Sequence, residues 1–210
     1  MKALLLKDLI SLKTYGRSVI IIVAAFTVAS FFSGDSDFIA SYMSLLLAVI
    51  AVTSISYDEQ AKWNLYALSM PISRKQLVLG KYILAFILTC LGACISLFLA
   101  LIPVWRGYER DILQLLLTIF TSASFALLML SLLLPLVYKY GVEKSRVLLF
   151  IIVLIPSILV VLWVQTGIFM PEQVTEQVFI QLFKMLPVVA LLLYAVSYFV
   201  SAAIFSKKDI

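Results

Sequence analysis

The 210-residue sequence is 64% hydrophobic and only 13% charged, with a mean hydropathy of +1.13; a soluble chain is nearer half apolar and a quarter charged. Too little polar surface exists here to cover a water-soluble ball, so the chain reads as an integral membrane protein. The net charge is +5 with no histidine, which removes His-based metal sites, Ser-His and Cys-His catalysis and HExxH metalloproteases together.

Residues 1–16 alternate leucines (Leu5, Leu9, Leu12) with Lys7, Ser11 and Thr14 on the opposite face. Lys2, Lys7, Asp8 and Lys13 interrupt the run too often for a signal-peptide core. An amphipathic helix lying along the inner membrane surface is predicted there. Arg17 anchors a first span over 18–33, short against the ~20 residues needed to cross the hydrocarbon core. The breaker-rich turn 33–37 leads to a second span over 38–57, whose inner end carries Thr53, Ser54 and Ser56 for bonding within or between helices.

The stretch 58–81 then concentrates charge between two apolar runs. Asp58 and Glu59 suit the positive end of a helix dipole and are placed at the start of a short helix. Trp63, Tyr66, Ala67 and Met70 follow at i, i+3, i+4, i+7 on one face. Met70 precedes Pro71 and is pushed out of helical geometry. Ser73 with Gln76 fits a capping box that restarts a helix, and Arg74 and Lys75 occupy its first exposed turn. Such an amphipathic helix with a basic turn behind it can dock into a groove of another protein or lie on anionic headgroups.

A third span is predicted over 82–105, with Gly92, Ala93 and Ser96 allowing close helix approach. Cys90 and Cys94, stacked on one face, read as small packing residues. After the outer loop 106–111, a fourth span covers 112–138, kinked by Pro135. A fifth covers 147–168 and contains Pro156. The outer segment 169–184 places Val174, Val178 and Leu182 at helical spacing, suggesting a short surface helix. A sixth span covers 185–205 with Pro187 near its start, and a basic tail follows. With both termini inside, 13 of the 16 Lys and Arg are inner, and Arg106, Arg110 and Lys184 are outer. The inverted arrangement would reverse that bias. No repeat or long linker divides the chain, so residues 1–210 form a single domain. The expected fold is all-α, with six spans, an interfacial helix over 1–16 and a coupling loop over 58–76.

Asp58-Glu59, the run from Trp63 to Lys75, and Val78 to Lys81 together resemble a signature of small ABC-2-type permeases. In these an acidic pair precedes an aromatic, a Pro–Ser–Arg core and a lysine where the next span begins. The chain is similar in length and span count to the short permease halves of peptide exporters such as the phenol-soluble modulin exporter. The resemblance implies that 58–76 holds the coupling helix that sits on an ATPase subunit. It gives a coupling set of Asp58, Glu59, Trp63, Leu65, Tyr66, Leu68, Met70, Pro71, Ser73, Arg74 and Lys75. It also implies that spans one and five line a seam between two permeases.

The chemistry missing from the sequence agrees. There is no P-loop motif, and no span carries an ionisable residue near its middle, the usual mark of ion-coupled transport. The expected function is therefore the permease of an ATP-driven exporter in a bacterial plasma membrane, both termini cytoplasmic. It would move amphipathic peptides or other hydrophobic compounds and be driven by two ABC ATPase subunits. A second copy or a paralogue completes the permease. This chain is expected to bind no cofactor, ATP and Mg belonging to the partner ATPase. Membrane lipids are expected partners and nucleic acid is not, since no basic run with interleaved aromatics is present. The alternatives are an ion-coupled carrier, a non-transporting scaffold or, least favoured, an intramembrane enzyme.

Overall fold

Hydrocarbon offers a backbone no hydrogen-bond partner but itself, so long apolar stretches wind into helices. The computed structural model describes residues 2–32, 37–69, 73–105, 107, 111–166 and 176–208. Seven helices occupy them: α1 Lys2–Phe32, α2 Asp37–Gln60, α3 Trp63–Ser69, α4 Arg74–Trp105, α5 Ile112–Tyr140, α6 Val142–Thr166 and α7 Glu176–Ser206. Local chemistry fixes several ends. The Asp111 carboxylate accepts the Leu113 N–H at 2.9 Å and caps α5, which ends at Gly141 with φ +84°. Only glycine takes such a φ without strain. Ser73 and Gln76 form the expected reciprocal box: the Ser73 N–H donates to Gln76 Oε1 at 3.0 Å, and the Gln76 N–H donates to Ser73 Oγ at 3.3 Å.

Among the described residues, four helices are long and apolar enough to cross a membrane: Ser41–Gln60, Arg74–Trp105, Ile112–Tyr140 and Lys184–Ser206. A fifth is added if Leu6–Lys13 and Arg17–Ala29, bent by 68° within α1, are taken as one broken span. The six spans expected are thus four or five here. The fifth expected span falls on α6, part of whose side chains lie outside the described residues. A separate outer surface helix does not form at 178–182: α7 starts at Glu176 and runs unbroken to Ser206, and Val174 lies outside the described residues. Pro187 therefore sits inside α7 rather than near its start.

The core is built where α2 packs on α4 and α5 on α7, with α1 laid against α4. Met43, Ala48, Val52, Leu84, Ala85, Leu130, Leu134 and Ala190 are almost fully enclosed. Gly92 sets the closest approach: a Cβ there would lie 2.7 Å from Ser44 Cα. The predicted small-residue face of α4 is therefore a helix contact. Cys90 and Cys94 correct the packing expectation, for both are free and exposed on α4. Large apolar residues also point outward from every long helix, among them Ile20, Val49, Phe98, Phe120, Phe150 and Phe199. Water would not tolerate an apolar surface this continuous, whereas lipid does.

One polar chain lies within this core. Ser197 has a single hydroxyl proton and donates it to the Ser131 carbonyl at 2.7 Å. Tyr82, 2.7 Å from both Ser197 Oγ and Ser201 Oγ, must then donate to Ser197 and accept from Ser201. The Tyr194 hydroxyl donates to the Tyr82 carbonyl at 2.7 Å. The chain ties α4, α5 and α7 with each hydroxyl satisfied, and nothing in the sequence pattern marked it.

Candidate coupling site at the terminal end of the bundle

Helix ends from across the chain meet at one end of the bundle: the start of α1, the end of α7, the C-terminal turns of α2 and α5, and the first turns of α4 and α6. α3 lies beside them. It is short because Pro71 stands just beyond it, and it is set off from α2 by a turn at 61–62 in which Lys62 takes φ +50°. Its faces differ. Ala67 is fully enclosed, Trp63 is half-buried, and Leu65, Tyr66 and Ser69 are exposed. Expected as one stripe, Trp63, Tyr66 and Ala67 are instead divided between an inward and an outward side. A 7-residue helix resting on a bundle can hide only its inner side.

Trp63 connects α3 to the bundle. Its ring lies 4.4 Å from Lys7 Nζ, within cation–π range. Lys7 belongs to a closed ring of alternating charges. Its Nζ lies 2.9 Å from Asp8 Oδ1 and 2.6 Å from Asp58 Oδ1. Lys81 Nζ completes the ring, 2.8 Å from Asp8 Oδ1 and 2.6 Å from Asp58 Oδ2, and also donates to Ser54 Oγ at 2.8 Å. Asp8, Asp58 and Lys81 are buried. Two cations facing two carboxylates leave the ring neutral, which makes burial of those three charges tolerable. It clamps α1, α2 and α4 together.

Asp58 and Glu59 lie in the last turn of α2 rather than at the start of the coupling helix. α2 continues through both to Gln60, and each carboxylate finds a partner on another helix. Asp58 turns into the ring. Glu59 reaches across to α6, where its Oε2 accepts the Val142 N–H at 3.0 Å, a carboxylate meeting the positive end of a helix. Arg74 also turns inward: its Nη1 donates to the carbonyls of Phe205 at 3.3 Å, Ser206 at 2.9 Å and Lys208 at 2.8 Å, satisfying the open C-terminal end of α7. Ser73 is spent on its own capping box, and Lys75 is exposed. The backbone of Leu68 belongs to α3, its side chain lying outside the described residues, as do Met70 and Pro71 entirely. Leu65, Tyr66, Ser73 and Lys75 are thus exposed members of the expected set, while Asp58, Arg74 and the exposed Glu59 bind other helices of the bundle. Sequence reasoning missed Lys7, Asp8 and Ser54 as partners of Asp58 and Lys81. Their one visible signal was charge set among apolar neighbours at the inner ends of three segments. Among the described residues no group of three or more Cys, Asp or Glu is arranged to hold a metal ion.

These features define a class: an all-helical, multi-pass membrane protein whose helix ends converge beneath a short, outward-facing helix. A family described as ABC-2 family transporter protein matches residues 3–206. The chain belongs to that family and is the membrane component of an ABC transporter, a family whose permeases depend on associated ABC ATPase subunits. No curated protein matches the chain, so the finer likeness to the phenol-soluble modulin exporter is not supported beyond the family.

Proposed function

We propose that this permease works as an exporter of amphipathic peptides or similar hydrophobic compounds, driven by two ATPase subunits that press on α3. The observation that carries the reading is the junction at Trp63: a helix presenting Leu65 and Tyr66 outward rests through Trp63 on Lys7, and Lys7 belongs to the ring binding α1, α2 and α4. Displacement of α3 by nucleotide-driven closure would reach three membrane helices at once. The seam between two permeases, a second copy or a paralogue, would be the bistable element. The concentration of Lys and Arg near this end supports a cytosolic placement, with both termini in the cytoplasm of a bacterial cell. The apolar character of the long helices suits an amphipathic cargo better than sugars or ions.

The test is Tyr66→Asp combined with Leu65→Asp in the full complex. Both side chains are exposed, so thermal stability of the permease should hold while ATPase co-purification and peptide export are lost. Unchanged export and unchanged ATPase binding would overturn the proposal. One observation favours a second reading, an ion-coupled carrier: four ionisable groups are gathered in one place. Transport in vesicles energised by an ion gradient, without ATP, would select that reading.

A further inference from the structure

A cavity of about 300 Å³ opens beside the charge ring, between α1, α2, α3, α4, α5 and α7. That is the lower end of the range for small-ligand sites. Its wall carries Lys7, Lys62, Lys81 and Lys208 against Asp8, Asp58 and Glu59, an excess of one positive charge. Lys7 and Lys81 are neutralised by Asp8 and Asp58 within the ring, and Glu59 is engaged by the first turn of α6. The two remaining cations of the wall are Lys62 and Lys208. Both are exposed, and neither has an acidic partner among the described residues. Among the described residues Lys208 donates to the Tyr138 carbonyl at 3.3 Å. The rest of the wall is largely apolar, with Leu4, Leu77 and Phe205 facing the same space. A cavity with an excess of one positive charge and apolar walls, at the membrane end where the chain's Lys and Arg gather, matches an anion attached to a hydrocarbon body.

We propose that this cavity holds the phosphate of one anionic phospholipid, with Lys62 and Lys208 at the oxyanion and the acyl chains along Leu4 and Leu77. A bound lipid would sit against the ring and under Trp63. The proposal does not depend on the transported substrate or on the coupling reading.

The experiment uses the full-length chain in nanodiscs of phosphatidylcholine containing a minor fraction of phosphatidylglycerol, with retained lipid counted by native mass spectrometry. One phosphatidylglycerol per chain is expected to survive release from the disc in preference to phosphatidylcholine. The Lys62→Gln, Lys208→Gln double variant should weaken that retention about 25-fold, at about five-fold for each lysine near the membrane surface. A matched variant, Lys75→Gln with Lys139→Gln, removes the same charge from exposed positions outside the cavity wall and should retain the lipid. Equal retention of the two lipids, or equal loss in both double variants, overturns the proposal. So does displacement of the lipid by inorganic phosphate or glycerol phosphate at the concentration of the lipid, which would assign the cavity to a soluble anion. Unchanged lipid retention with lost ATPase co-purification in Lys62→Gln, Lys208→Gln also overturns it and assigns these lysines to a protein partner.

Discussion

Replacing Lys81 with methionine keeps the length and apolar stem of the side chain and removes one charge from a closed set of four. In the native ring Lys81 faces both carboxylates, at 2.8 Å from Asp8 and 2.6 Å from Asp58, and its side chain is 10% exposed. Afterwards Asp8 and Asp58 share Lys7 alone, so a net negative charge stays buried and two carboxylates repel each other around one cation. Breaking a buried pair from one side costs about 3–5 kcal/mol. For a chain of this size that lowers the midpoint of thermal unfolding by on the order of 10 °C. The informative comparison is Asp8→Asn in the Lys81→Met background. It restores neutrality, leaving Lys7 against Asp58 at 2.6 Å, so the double variant should be more stable than Lys81→Met although it lacks another native charge. The assay is a double-mutant cycle on purified protein, following unfolding by tryptophan fluorescence, with about 1–3 kcal/mol of favourable coupling expected. Additive losses, or a harmless Lys81→Met, would show that the four groups do not act as one neutral unit.

Three further outcomes test other contacts. Gly92→Val places a branched side chain where even a Cβ would meet Ser44 Cα at 2.7 Å; it should force α2 and α4 apart at a cost of about 1–3 kcal/mol, read as a lower unfolding midpoint and lost cross-linking between cysteines placed at Ser44 and Gly92's neighbours. Tyr82→Phe removes the hydroxyl that accepts from Ser201 and donates to Ser197; about 1 kcal/mol should be lost in a detergent unfolding titration, in the range of interhelical hydrogen bonds within membranes. Arg74→Ala frees three carbonyls at the end of α7, so amide exchange should accelerate in the last turn of α7, with global stability reduced by about 1 kcal/mol.

The ring also changes how charge is read in this chain. Its members lie toward the inner ends of helices, not near their middles. α4 has 32 residues and is about 48 Å long at 1.5 Å per residue, against about 30 Å of hydrocarbon. About 18 Å of it, roughly twelve residues, need not lie in the apolar layer, and Lys81 is the eighth residue from the inner end of the helix. There a lysine can be buried by protein without being stranded in lipid.

Composition and periodicity by themselves determined that the chain lives in a membrane, that it is helical, and where its long segments lie, because each of these depends on runs of neighbouring residues. The capping box at Ser73 and Gln76 was legible for the same reason, its partners being three residues apart. The roles of Asp58, Glu59 and Arg74 were not. Asp58 is 51 residues from Lys7, Arg74 is 131 from Phe205, and Tyr82 is 115 from Ser197. A charge near a helix end looks the same in sequence whether it faces solvent, an ATPase or another helix. Only the packing of α1, α2, α4 and α7 at one end of the bundle chose among those partners, since the cost of burying a charge is set by what lies within a few ångströms of it in space.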